Sequence, residues 1–171
     1  MEEVILVDEH DNALGVLGKL EAHLTGRLHR AISVFIFNSQ GELLLQQRAA
    51  GKYHSAGLWS NTCCSHPRAG ESSLAAARRR LQEEMGLDCP LTFRYSFIYK
   101  AELDHGLTEH EYDHVFFGAS DAVPIPDPAE VGAYRYISLD RLNMYIEQQP
   151  EHYTEWFKLC IAKFNNSSDN K

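Results

Sequence analysis

The tightest restriction on this chain lies between residues 59 and 87. There Trp59-Ser-Asn-Thr-Cys-Cys-Ser-His-Pro67 runs through Gly70-Glu71 into Arg78-Arg-Arg-Leu-Gln-Glu-Glu-Met-Gly-Leu87. Ala77, Leu81 and Met85 recur at four-residue spacing, with Leu74 on the same side, and Gly86 is a natural stop. That spacing predicts a helix over 71–86. A thiol (Cys64) and an imidazole (His66) lead into it, and paired carboxylates (Glu83, Glu84) lie in its last turn. Arg80 precedes Glu84 by four residues, so surface charge pairing is the ordinary explanation of those carboxylates. The thiol and imidazole at the helix mouth point instead to a loop–helix–loop unit that moves protons or holds a divalent ion.

Strand patterns surround this unit. Residues 4–7 read as an edge strand followed by a turn over 8–12, and 19–25 as one or two helical turns stopped by Gly26. Residues 29–37 and 43–47 flank Asn38-Ser39-Gln40-Gly41 as a hairpin, and a loop follows to residue 58. Strands are predicted at 93–101, 111–118 and 131–137, the last after a proline-bearing loop at 124–128, and amphipathic helices at 139–148 and 153–164. The fold class predicted is α/β (α+β), a mixed-sheet sandwich between helices. At 171 residues and 44% hydrophobic content, one core is expected over 1–164, with a disordered tail at 165–171.

Charge narrows the partners. The net charge of −8 is uneven: residues 1–100 carry 11 basic and 11 acidic side chains, and 101–171 carry 5 basic and 13 acidic. Nucleic acid and anionic membrane are excluded as partners of the whole surface. A small anion remains compatible with the first part, where Arg27, Arg30, Arg48, Lys52, Arg68 and Arg78 to Arg80 lie. The acidic amino terminus has no signal-peptide pattern, and no apolar run is long enough for a membrane span. Reduced thiols and a cytoplasmic location are therefore expected of the four cysteines, two of which are adjacent.

One further pattern bears on chemistry. In Glu109-His110-Glu111 a strand would turn both carboxylates to one side and His110 to the other. The run from Ser65 through Glu71 to Arg79-Arg80-Leu81-Gln82-Glu83-Glu84-Met85-Gly86-Leu87 resembles the Nudix box, with Ser65 where that signature has Gly and Arg80 where it has Glu. In hydrolytic Nudix enzymes that Glu handles the metal and the attacking water. Its loss marks one branch, the type I isopentenyl-diphosphate isomerases, and the chain is similar to that branch over nearly its full length.

The resemblance implies a set of roles. Cys64 matches the branch's reactive thiol, and the neighbouring basic loop is expected to favour its thiolate. His23, His29, His66, Glu109 and Glu111 match its divalent-metal site, a donor mix that suits Mn²⁺ or Zn²⁺ better than Ca²⁺, with Mg²⁺ also open. Glu84 matches the residue that helps hold a second ion, Mg²⁺, on the diphosphate. Lys19, Arg48, Lys52 and Arg80 match diphosphate-binding cations, Tyr99 a hydroxyl near the reacting carbon, and Trp156 an indole facing the hydrocarbon end. The implied reaction protonates a terminal alkene to a tertiary cation and then removes a neighbouring proton, with Cys64 and Glu111 as acid and base and Tyr99 assisting. A small diphosphate is the implied partner, and a monomer or weak dimer is expected. Two other readings stand beside this one. A Nudix hydrolase would explain the box but leave Cys64, His23 and His29 without a task. A non-catalytic binding module would explain Ser65 in place of Gly.

Overall fold

The computed structural model of the chain describes residues 1–168. Its strands are β1 (Glu3–Val7), β2 (Ala13–Gly18), β3 (His29–Phe37), β4 (Leu43–Arg48), β5 (Trp59–Ser60), β6 (Cys63–Ser65), β7 (Leu91–Glu102), β8 (Thr108–Ala119) and β9 (Val131–Ile137). The helices are α1 (Lys19–Thr25), α2 (Ser73–Met85), α3 (Leu139–Gln148) and α4 (Glu155–Ser168). The strands form one nine-stranded mixed sheet in which β3 is the hub, bonded to β1, β4, β6 and β8. The β3–β8 pair is parallel, and the other ladders among the described residues are antiparallel.

The alternation of side chains along β3 divides the core in two. Ile32, Val34 and Ile36 pack with Ala76, Ala77, Leu81 and Met85 of α2. Phe35 packs on the other face with Leu142 of α3 and Trp156, Phe157 and Ile161 of α4. A period of two along the strand meets helices on both sides, which is the sandwich expected of this pattern. Full burial of a side chain such as Leu81 or Met85 contributes about 1.5–3 kcal/mol each.

Several elements differ from the sequence-based expectation. β1 is not an edge strand: it lies between β2 and β3. The true edge, β2, carries Gly15 and Gly18 and is exposed from Ala13 to Val16, so it lacks a buried stripe to announce it. The β3–β4 hairpin closes on one rung, Phe37↔Leu43, before the strands part to other neighbours. Leu74 stands 43% exposed, and Ala76 takes the core position beside Ala77. The last helix continues through 165–168, where a tail was expected, because nothing there breaks a helix. The rest of that expected tail, 169–171, lies outside the described residues.

The entry to α2 is braced from both sides. Ser72 caps it, accepting from the Ala75 N–H at 3.2 Å. Glu71 accepts from Arg79 Nε at 2.7 Å, from an Arg79 terminal nitrogen at 2.8 Å, and from the Arg68 N–H at 2.8 Å. The Arg79 guanidinium holds the Glu71 carboxyl down to about 2, below the usual 4.5. A depressed carboxyl stabilises the fold above its unfolded value and loses that contribution as pH falls through the folded one. Glu71→Gln should therefore cost about 1–2 kcal/mol in urea unfolding at neutral pH. The gap from the unaltered protein should shrink as pH is lowered from about 5 towards 2; a gap independent of pH would refute it.

Candidate active site

Strand register brings the central groups together. On β8, Glu111 lies opposite Tyr99 of β7 on one side and His29 of β3 on the other. Glu109 and Glu111 are both buried, as expected of a period of two, and half-buried His110 turns away to the Gly26 carbonyl. His23 arrives from the last turn of α1, which Gly26 ends in the left-handed conformation (φ 65°). His66 follows β6 directly.

Ligating atoms of His23, His29, His66 and Glu111 all fall within 4.8 Å of one another, and all four residues are buried. Glu111 Oε1 is 3.0 Å from His66 Nε2 and 3.4 Å from His29 Nε2, while Oε2 accepts from the Tyr99 hydroxyl at 2.6 Å. His29 Nδ1 lies 2.8 Å from the Arg27 carbonyl, which can only accept. Its hydrogen is therefore on Nδ1, and the lone pair of Nε2 faces the cluster. The buried Nε2 atoms of His23 and His29 have no hydrogen-bond partner. Burial and the neighbouring His66 pull His23 down to about 3, so its imidazole is neutral at physiological pH. Unpartnered imidazole nitrogens converging with a carboxylate fit a divalent ion.

The fifth expected ligand, Glu109, is not part of this group but lines the same cleft. Its Oε2 lies 3.2 Å from the Tyr99 hydroxyl oxygen, whose one hydrogen makes the shorter bond to Glu111. Burial and the adjacent Glu111 push its carboxyl well above the usual range. Glu111 is held well below that range: burial opposes its ionisation, but the His29 and His66 contacts outweigh it.

Cys63 and Cys64 point to opposite faces. Cys63 joins the α2 side of the core, whereas Cys64 sits on the cleft, paired in register with Ser33. The expectation that basic surroundings favour a thiolate does not hold. Burial, with the Asp113 carboxylate, pushes the Cys64 thiol above its ordinary value. The nearby cations are engaged elsewhere. Lys19 pairs with Glu2 at 3.2 Å, Lys52 with Glu130 at 2.6 Å, and Arg80 with Glu84 at 2.5 Å and Glu130 at 3.6 Å. The Arg48 guanidinium lies 5.1 Å from the centre of the Trp156 ring.

One cleft of about 590 Å³, measured out to its open mouth, gathers most of these groups. Every residue expected at the site lines it except His29, which lies behind Glu111. Four residues were not singled out from sequence. Gln46, which donates to Glu84 at 2.9 Å, lines the cleft together with His54 and Glu130. Asn61, fully buried, accepts from Cys64 at 2.8 Å. Only Asn61 had a signal in the sequence, its place three residues before the thiol.

Comparison with known proteins shows the family. Residues 27–157 match the NUDIX domain family. The chain is 56% identical over 163 residues to the isopentenyl-diphosphate Delta-isomerase of Pectobacterium atrosepticum, covering 95% of this chain and 91% of that one. It is 54% identical over 162 residues to isopentenyl-diphosphate Delta-isomerase 2 of Aromatoleum aromaticum, covering 95% and 86%. The chain belongs to the isopentenyl-diphosphate Delta-isomerases of the Nudix family.

Among solved structures, the DR0079 protein of Deinococcus radiodurans shares the fold, with a TM-score of 0.76 at 20% identity over 92% of this chain and 96% of that one. Within the isomerase family's scaffold, this chain places Cys64, Glu111 and Tyr99 around one cleft with Lys19, Arg48, Lys52 and Arg80. Arg80, where the Nudix signature carries Glu, neutralises Glu84 instead of adding a carboxylate to it. The last turns of α2 thus set a guanidinium beside that carboxylate.

Proposed function

We propose that this chain interconverts isopentenyl diphosphate and dimethylallyl diphosphate by a 1,3 proton shift. The observation that carries the reading is the presence of Cys64, Glu111 and Tyr99 in the same cleft as Lys19, Arg48, Lys52 and Arg80. An unactivated alkene has no acidic proton to lose, so a proton must arrive first. It adds to the terminal C4, leaving a tertiary cation at C3, and loss of a proton from C2 forms the new double bond. One acid and one base suffice, and the proton count is unchanged.

Cys64 and Glu111 carry those roles. Their partners on β3, Ser33 and His29, are four residues apart, or about 13 Å along the strand. Both side chains reach into the cleft from these anchors. The Tyr99 hydroxyl donates to Glu111 and fixes the direction of its free lone pairs. The Trp156 ring, 3% exposed, offers a π face to the cation and helps keep water from it. His23, His29, His66 and Glu111, with Glu109 beside them, would hold a divalent ion (Mn²⁺, Zn²⁺ or Mg²⁺), whose charge makes a bound carboxyl more acidic. Glu84 would hold Mg²⁺ with the diphosphate, and the four cations orient its phosphates. One chain supplies every group named, so the reading needs no partner subunit, and it goes with a monomer or weak dimer in the cytoplasm.

The test is incubation of the purified protein with isopentenyl diphosphate, Mg²⁺ and Mn²⁺. Dimethylallyl diphosphate is the expected product. Release of phosphate or of a monophosphate would mean hydrolysis, and no turnover would mean a binding module.

A further inference from the structure

We infer that Asn61 is a positioning residue of the reaction, anchoring the Cys64 sulfur through the hydrogen bond that the resting thiol gives it. The inference rests on the reading of Cys64 as a reacting group. Asn61 is fully buried between β5 and β6. Its amide has a single possible orientation, because Nδ2 donates to the Cys63 carbonyl at 2.9 Å and to the Val34 carbonyl at 3.1 Å. Turned over, the amide would set its oxygen against two carbonyl oxygens.

Oδ1 therefore faces the other way, towards Cys64 Sγ at 2.8 Å and Ser60 Oγ at 3.1 Å. A carbonyl oxygen has no hydrogen to give, so the sulfur donates. The other neighbour of the sulfur is Ser33 Oγ, at 3.5 Å. Ser33 gives its own hydrogen to Asp113 at 2.7 Å, so towards the sulfur it too can only accept. The single thiol hydrogen thus goes to Asn61 in the resting protein and fixes the sulfur against the wall; a turn about the Cβ–Sγ bond brings that hydrogen to the cleft for transfer, leaving a thiolate that can take a proton back. The brace extends further: Ser60 Oγ is 3.0 Å from Thr154 Oγ1, and the Thr154 N–H donates to the Trp59 carbonyl at 2.9 Å. One clasp therefore seats both the thiol wall and the start of the helix that carries Trp156.

The experiment compares the metal-loaded protein with its Asn61→Ala and Cys64→Ala variants. Asn61→Ala should lower kcat by about 10- to 100-fold, with KM within about twofold, since misplacing a reacting group costs rate more than binding. A purely structural role would lower thermal stability without that split. The infrared S–H band lost in Cys64→Ala should lie below the free-thiol frequency in the unaltered protein, and should move up to it in Asn61→Ala. If Asn61→Ala does not fold, the band of the unaltered protein decides. A free-thiol band there, or an Asn61→Ala protein with full kcat, overturns the inference. Full activity in Cys64→Ala would overturn the reading of Cys64 itself; an inactive Cys64→Ala beside a fully active Asn61→Ala would overturn only the role of Asn61.

Discussion

Cys64→Ala is expected to lower the isomerisation rate by about 10³-fold or more, within the range that a positioned proton carrier contributes. Cys64 is the one cysteine on the cleft: Cys63 faces α2, and Cys89 and Cys160 lie buried in the two halves of the core. No other thiol is placed to substitute. The cations proposed to hold the diphosphate, Lys19, Arg48, Lys52 and Arg80, carry contacts that do not involve Cys64, so KM should change little while kcat falls. The fold should survive, because Cys64 is only partly buried and its removal leaves a small space open to the cleft. Steady-state kinetics with a urea melt as control measures this; a variant that turns over at the unaltered rate contradicts the role.

Glu111→Gln should have an effect as large, and on two observables at once. Its carboxylate meets the Tyr99 hydroxyl, the His66 imidazole and the His29 imidazole within 3.4 Å. The amide keeps the shape but loses the charge and half of the accepting capacity. Turnover should fall by about 10³-fold or more. Metal content after dialysis should fall with it, because one of four converging ligands is lost. Metal retained with turnover lost would make Glu111 a proton carrier alone; turnover retained would remove it from the mechanism.

The sequence-legible parts were those where a local period coincides with burial. Ala77, Leu81 and Met85 announced α2, and the alternation Glu109-His110-Glu111 announced which carboxylates share a face. β2 stayed hidden because an exposed strand with glycines has no buried side to generate a pattern. The register His29↔Glu111 is non-local, set by a parallel pairing across some eighty residues that no window of sequence contains. The environment of Cys64 was misread for a related reason. Nearby basic residues suggested a thiolate, but Glu2, Glu84 and Glu130 take up Lys19, Arg80 and Lys52, and Asp113 stands closer in effect to the sulfur. Asn61 escaped notice because its importance lies in two backbone carbonyls that only the fold brings to its amide.

The most direct test of a proton shift through a tertiary cation is isotopic. In D₂O, with isopentenyl diphosphate, Mg²⁺ and Mn²⁺, the alkene must take its new hydrogen from an acid that exchanges with solvent. Deuterium should then appear in a methyl group of dimethylallyl diphosphate, at C4, with the diphosphate intact. Dimethylallyl diphosphate formed without deuterium, or phosphate released in its place, would contradict the mechanism.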